Sequence, residues 1–266
     1  MHRAPAVAGR FYPAQPAELR RELEGYLQEQ PRQAAIGCVV PHAGILYSGH
    51  VAGAVYARLQ PFSTYIILCP NHSGYGRPLA ILSEGEWETP LGDALIDAEL
   101  AGELKRACPL LEEDEAAHRL EHSLEVQLPF LQCLQTSFRF VPIAVGVGRY
   151  DPLEELGRAV AQVAGRAKER PLVVASSDLN HYEPDAVNRA KDHKAIERIV
   201  ALDPRGLYDT VRRENISMCG FGPTVAMLTA AKLLGATRGE LVRYANSGDV
   251  TGDRSQVVGY AGILIA

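Results

Sequence analysis

The sequence predicts an α/β fold, a three-layer α/β/α sandwich with a largely parallel or mixed central sheet, on the strength of two observations. The runs over 36–41, 65–70 and 171–176 are apolar, rich in β-branched residues and too short for helices. Such runs read as strands buried on both faces. Stretches of helical periodicity separate them, and strands of this kind alternating with helices build a sheet covered on both sides. Hydrophobic residues make up 47% of the 266 residues and charged residues 22%, enough apolar material for a sizeable core. No repeat, low-complexity linker or shift in composition marks a boundary, so residues 1–266 are expected to form a single domain.

In chain order, Leu19, Leu23 and Tyr26 recur at helical spacing after the turn-prone run 12–16, which predicts an amphipathic helix over 17–30. The strand over 36–41 follows, then a helix near 49–59, the strand over 65–70 and another over 79–83. Residues 83–93, with Gly85, Trp87, Pro90 and Gly92, read as an irregular connection or a lid. Helices are expected near 96–107, 122–134, 152–168, 185–202 and 223–235. Strands over 139–146, 239–246 and 256–265 join the one over 171–176.

A formal net charge of -5 gives no general electrostatic reason to bind nucleic acid or an anionic membrane, and points instead to a small molecule, a peptide or a protein partner. The five cysteines, Cys38, Cys69, Cys108, Cys133 and Cys219, are widely spaced with no C-x-x-C pair, which excludes a zinc ribbon and a disulfide framework and predicts a reducing compartment. There is no apolar leader and no run of the ~18 residues that a spanning helix needs, so a cytoplasmic protein is expected.

Three buried runs end alike, with chemically capable side chains just past the last apolar residue: Val-Val-Pro-His42, Leu-Cys-Pro-Asn71-His72 and Ala-Ser-Ser-Asp178-Leu-Asn-His181. Residues beyond the carboxyl ends of parallel strands converge on one edge of the sheet, where ligands bind. Two histidines in that shared context are explained as paired ligands, because neutral imidazole is the commonest metal donor. His50 reads as facing solvent or packing on a helix. Asp178 stands close enough to orient His181, which reads as a general base, a third metal ligand or a helix-start residue. Cys219, between Met218 and Gly220 and ahead of Pro223, sits where a helix dipole favours a thiolate. It reads as a ligand, a nucleophile or a small buried hydrophobe. In Glu121-His122-Ser123-Leu124-Glu125, residues 121 and 125 share a helical face. Glu121 reads as part of a solvated acidic face, whereas His122 and Glu125, with Asn71, are candidates to support the ligands. Asp249 reads as shaping a turn-rich loop.

The ordered motifs Ala-Val-Ala-Gly-Arg-Phe-Tyr-Pro, Pro-His-Ala-Gly, Pro-Asn-His, Glu-His-Ser-Leu-Glu-Val-Gln-Leu-Pro-Phe-Leu, Ser-Ser-Asp-Leu-Asn-His-Tyr and Cys-Gly-Phe-Gly-Pro closely resemble the Memo family. Its prokaryotic branch is called AmmeMemoRadiSam system protein B, and the likeness runs from Pro5 to the last strand. The resemblance implies a fold like that of the class III extradiol dioxygenases, with a non-haem metal site. It implies His42, His72 and Cys219 as the metal positions, His181 at the place of the dioxygenase base and Asp178 as its neighbour. Ring-cleaving enzymes use two histidines and a carboxylate. The cysteine here shifts preference toward copper(I), zinc or a differently tuned iron, so ring cleavage does not carry over. The family name further implies AMMECR1-like and radical SAM proteins as partners, and animal relatives are described as adaptors.

The resulting expectation is a dioxygenase-like oxidoreductase with one transition-metal ion, iron first and copper or zinc as alternatives, acting on a small molecule. His181 moves protons and Asp178 sets its tautomer. The rival readings are a non-enzymatic module that binds a peptide or protein in the inherited pocket, and metal-free nucleophilic chemistry at Cys219.

Overall fold

In the computed structural model, which describes residues 1–266, the buried runs lie side by side at the middle of one twelve-stranded mixed sheet. The first half of the chain forms β1 (His2–Arg3), α1 (Pro16–Tyr26), β2 (Gly37–Val40), α2 (Ile45–Tyr56), β3 (Thr64–Pro70), β4 (Leu79–Ile81), β5 (Glu86–Thr89), β6 (Gly92–Ile96), α3 (Ala98–Ala107), β7 (Glu112–Glu113), α4 (Ala116–Arg119) and α5 (Gln127–Leu134). The second half forms β8 (Arg139–Val145), α6 (Tyr150–Arg166), β9 (Leu172–Ser176), β10 (His181–Glu183), α7 (Asp185–Val200), α8 (Pro204–Arg213), α9 (Phe221–Leu233), β11 (Gly239–Asn246), α10 (Ser247–Thr251) and β12 (Val257–Ile265).

Strands β8, β3, β9 and β2 are adjacent in that order and mutually parallel. On one flank β12 runs antiparallel to β2 and carries β11 and β10. On the other, β6 joins β8 in parallel and β4 joins it antiparallel. The parallel strands are apolar on both faces because both are covered. Val39 and Ile66 pack with Leu156, Ile196, Leu207 and Leu228 of α6, α7, α8 and α9. Their neighbours Val40 and Ile67 point the other way, to Leu19, Val55 and Phe130 of α1, α2 and α5. This alternation, inherent in strand geometry, divides the core into two layers. No helix is long and apolar enough to cross a membrane.

Four local expectations need correction. Residues 83–93 are largely the antiparallel hairpin of β5 and β6, because Trp87 is buried against the guanidinium of Arg3 and the short turn uses Gly92 at φ +115°. The helix expected over 122–134 begins only at Gln127, since Glu121 and Ser123 spend their side chains on nearby backbone and hold 121–126 in a turn. Glu121 and Glu125 therefore share no helical face. Helix α8 lies outside the expected helices, although Asp203 caps it by accepting from Gly206 N–H, with Pro204 in the first turn. The start of α2 also lies four residues ahead of the expected 49, at Ile45, because Phe11 from the N-terminal segment accepts the Ile45 N–H.

Candidate metal centre

His42, His72 and Asp178 each stand two residues past the ends of β2, β3 and β9, and the parallel alignment brings all three to one edge. The loop ahead of α9 is drawn onto the end of β9. A Cβ on Gly220 would collide with Ser176 O and with the Ser177 side chain, so only glycine permits this approach. Cys219 Sγ is thereby placed 3.2 Å from His42 Nε2 and accepts the Asp178 N–H at 3.3 Å. These residues line a cleft of about 610 Å³ together with Phe11, His122, His181, Tyr182, Ser217 and Tyr260.

Hydrogen-bond accounting assigns the ring nitrogens. Ser176 Oγ donates its single proton to Ser123 O at 2.6 Å and accepts from Gln127 Nε2 at 2.9 Å. The 2.8 Å contact from His42 Nδ1 to the same oxygen therefore needs the proton on Nδ1. Nε2 is left as the lone-pair atom toward the cleft. Burial, and after it the neighbouring His122, His72 and His181, hold the His42 pKa well below its ordinary value, so the ring is neutral and ready to ligate. The carboxylate of Glu121 accepts from both His72 N and His72 Nδ1, at 2.6 and 2.9 Å. His72 Nε2 is the free nitrogen there too. Burial alone would raise Glu121, but the hydrogen bonds from His72 and Ser123 override it and hold the carboxyl at about 2.

Glu121 is thus a buried support of a candidate ligand rather than part of a solvated face. His122 is also more central than its sequence context indicated. Phe11 packs on it with ring centroids 4.7 Å apart, burial holds it down at about 4, and one donor atom from each of His42, His72 and His122 lies within 4.8 Å of the others. Glu125 takes no part in the cleft. Its carboxylate pairs with Arg3 at 2.7 Å and accepts from Ala6 N, Val7 N and Tyr12 OH, fastening the N-terminal segment. Asn71 builds the 71–75 turn, accepting from Ser73 Oγ and Gly74 N and donating to Tyr75 O.

Asp178 and His181 share the cleft but not a hydrogen bond. Asp178 Oδ1 accepts from the backbone of His42 and Ala43, while His181 Nδ1 meets Ser217 O at 2.9 Å. The tautomer of His181 is therefore set by Ser217, which corrects the expectation that Asp178 sets it. Burial raises the Asp178 carboxyl. Burial and the Asp178 charge push the Cys219 thiol well up, outweighing the hydrogen bonds from the Asp178 and Gly220 backbone and the Ser177 side chain.

Whether these residues suit a metal is answered by ring spacing. An ion ~2.1 Å from an imidazole nitrogen lies about 3.2 Å from that ring's centroid, so two rings on one ion have centroids roughly 4.5–5.5 Å apart. The separations here are 4.7 Å for His72 and His122, 5.2 Å for His42 and His72, and 5.5 Å for His42 and His122. Three imidazoles with a thiol alongside fit a borderline or soft transition metal.

Compared with known families, the chain matches the one described as Memo-like protein over residues 3–264. MEMO1 family proteins of Methanopyrus kandleri and Methanosarcina barkeri are each 46% identical to it, over 99% of this chain and 99% of theirs. That of Archaeoglobus fulgidus is 43% identical over 98% of both chains. Among solved structures, an uncharacterized protein from Escherichia coli K12 superposes with a TM-score of 0.55 over 86% of this chain and 98% of its own, at 12% identity, a likeness of fold alone.

Proposed function

The chain belongs to the Memo family, and from that premise we propose that its cleft is a mononuclear metal centre serving an oxidoreductase that acts on a small molecule. The observation carrying this reading is the convergence of His42, His72 and His122 within 4.8 Å beside the thiol of Cys219. His42 and His72 would hold the ion, with Cys219 and His122 completing the donor set. Iron is the first candidate and copper or zinc the alternatives, since imidazole suits all three and a thiol favours the softer ones. When bound, such an ion supplies Lewis acidity, and in the case of iron or copper electron transfer, to a ligand in the cleft.

The chain's own residues do the remainder. Glu121 and Ser176 orient the two imidazoles, and hydrogen bonds of this kind raise ligand basicity. His181 Nε2, left without the ring proton, takes a proton from a bound hydroxyl or amine and later returns it. Asp178 accepts the His42 and Ala43 amides and so holds the loop that carries His42. Phe11 and Tyr260 exclude water from one side. Elemental analysis after anaerobic purification tests the reading. Wild type is expected to carry about one equivalent of iron, copper or zinc, lost in His42→Ala and His72→Ala. Wild type that neither carries nor takes up any of the three refutes it.

A further inference from the structure

His181 sits at a kink in the chain. It and Glu183 pair with Val258 and Val257 of β12 with a register shift between them. Tyr182, the extra residue, adopts φ +59° and is 70% exposed. A bulge of this kind re-aims a side chain, here turning His181 onto the cleft wall and leaving Tyr182 exposed at the cleft's rim. The kink alone leaves open which ring nitrogen the cleft receives.

We propose that Ser217 and Asn180 are positioning residues that fix the tautomer of His181 and keep its Nε2 lone pair toward the cleft. The proposal rests on the reading of His181 as the group that moves protons. Ser217 O only accepts, so its 2.9 Å contact with His181 Nδ1 places the ring proton on Nδ1. Ser217 is itself held on every polar atom. Its Oγ accepts the His181 N–H at 2.8 Å and turns its own hydrogen to Asn180 Oδ1 at 3.1 Å, or more distantly to His181 O at 3.4 Å. Its N–H donates to the same Asn180 Oδ1 at 2.9 Å.

The amide of Asn180 has one workable orientation. Its Nδ2 donates to Glu183 Oε2 at 2.6 Å and Asn188 Oδ1 at 2.9 Å, and its backbone N–H donates to Asp192 Oδ1 at 2.8 Å. A flipped amide would set NH2 against the N–H of Ser217 and leave Asn188 without its donor. Asn180, Asn188 and Asp192 are all buried, where an unmade hydrogen bond is costly. The orientation of His181 is thus imposed by a polar network that runs from Ser217 through Asn180 to Asn188 and Asp192 of α7. Its partner is a neutral carbonyl, which orients the ring without the added basicity a carboxylate would bring. The one carboxylate among the cleft residues, Asp178, is occupied by the His42 and Ala43 amides.

Nitrogen NMR of the histidine-labelled, metal-free full chain reads this directly, because protonated and lone-pair ring nitrogens differ widely in shift. Above neutral pH, wild type and Ser217→Thr are expected to show His181 in the Nδ1–H form. Asn180→Ala and Ser217→Ala are expected to raise the share of the Nε2–H form by about fivefold, the scale of one hydrogen bond. Ser217 is exposed, so Ser217→Ala guards against unfolding, and melting temperatures are followed in parallel. A wild type dominated by Nε2–H, or a wild-type tautomer retained in both alanine variants, overturns the proposal. If the tautomers shift as expected while His181→Gln leaves turnover unchanged, the proton-transfer reading fails and the positioning role stands.

Discussion

The carboxylate of Glu121 grips His72 at two points, accepting its backbone N–H at 2.6 Å and its Nδ1–H at 2.9 Å. One buried side chain therefore fixes both where the β3 loop runs and which imidazole nitrogen is free. Glu121→Gln keeps the shape and loses the charge. Metal affinity is expected to fall ~10–100-fold, the usual cost of losing such support, measured by competition with a chromophoric chelator. Unchanged affinity would show that His72 is not a ligand.

Cys219 and His122 flank the His42 and His72 pair from different elements. Each alanine variant is expected to weaken metal binding by more than the ~10–100-fold of a lost supporting hydrogen bond, and the double variant to abolish stoichiometric uptake. A double variant that retains a full equivalent would move the site elsewhere.

His118 is fully buried against Trp87, and burial, then the Arg3 charge, lower its pKa from 6.5 to about 4. Between those values the unfolded chain binds a proton that the folded chain refuses, so this contribution is complete above 6.5 and is lost as pH falls toward 4. His118→Phe retains a ring against Trp87 and should flatten the pH dependence of the melting temperature of the metal-free protein in that window. An unaltered slope contradicts the assignment.

The Arg3 and Glu125 pair is almost wholly enclosed, with side-chain exposures of 2% and 0%. Arg3→Ala strands the carboxylate and should cost ~3–5 kcal/mol in denaturant unfolding. Replacing both residues by apolar ones should not restore stability, because Ala6 N, Val7 N and Tyr12 OH would then lose their acceptor. Full recovery in the double variant would refute that account.

Tyr182 holds a left-handed backbone that glycine adopts freely and β-branched residues resist. Tyr182→Gly is expected to match or exceed wild type by up to ~1 kcal/mol, and Tyr182→Val to lose ~1–2 kcal/mol. Equal melting temperatures for the two would mean the bulge relaxes.

Much of the candidate centre was legible because strand ends are legible. His42, His72 and Asp178 each follow a run that had to be a buried strand, and parallel strands bring their carboxyl ends together. Cys219 was marked by the glycine beside it. Glu121 and Ser217 were not legible, because their roles depend on hydrogen bonds to residues 49 and 36 positions away. The helical periodicity of 121–134 disguised the turn over 121–126, and the fate of Glu125 depended on the N-terminal segment folding back, which no local pattern announces.

The candidate donors are scattered along the chain, with His42 and Cys219 separated by 177 positions. In an unfolded chain, gathering them would require closing long loops before any bond repaid the cost. The sheet meets that cost with its own core, so the site is a product of folding and not its template. For any ion the cleft takes, an order of events follows: the polypeptide would fold first and acquire it last. Supply of that ion would then govern how much of the protein is charged for work, while the metal-free fold would stand on its own core.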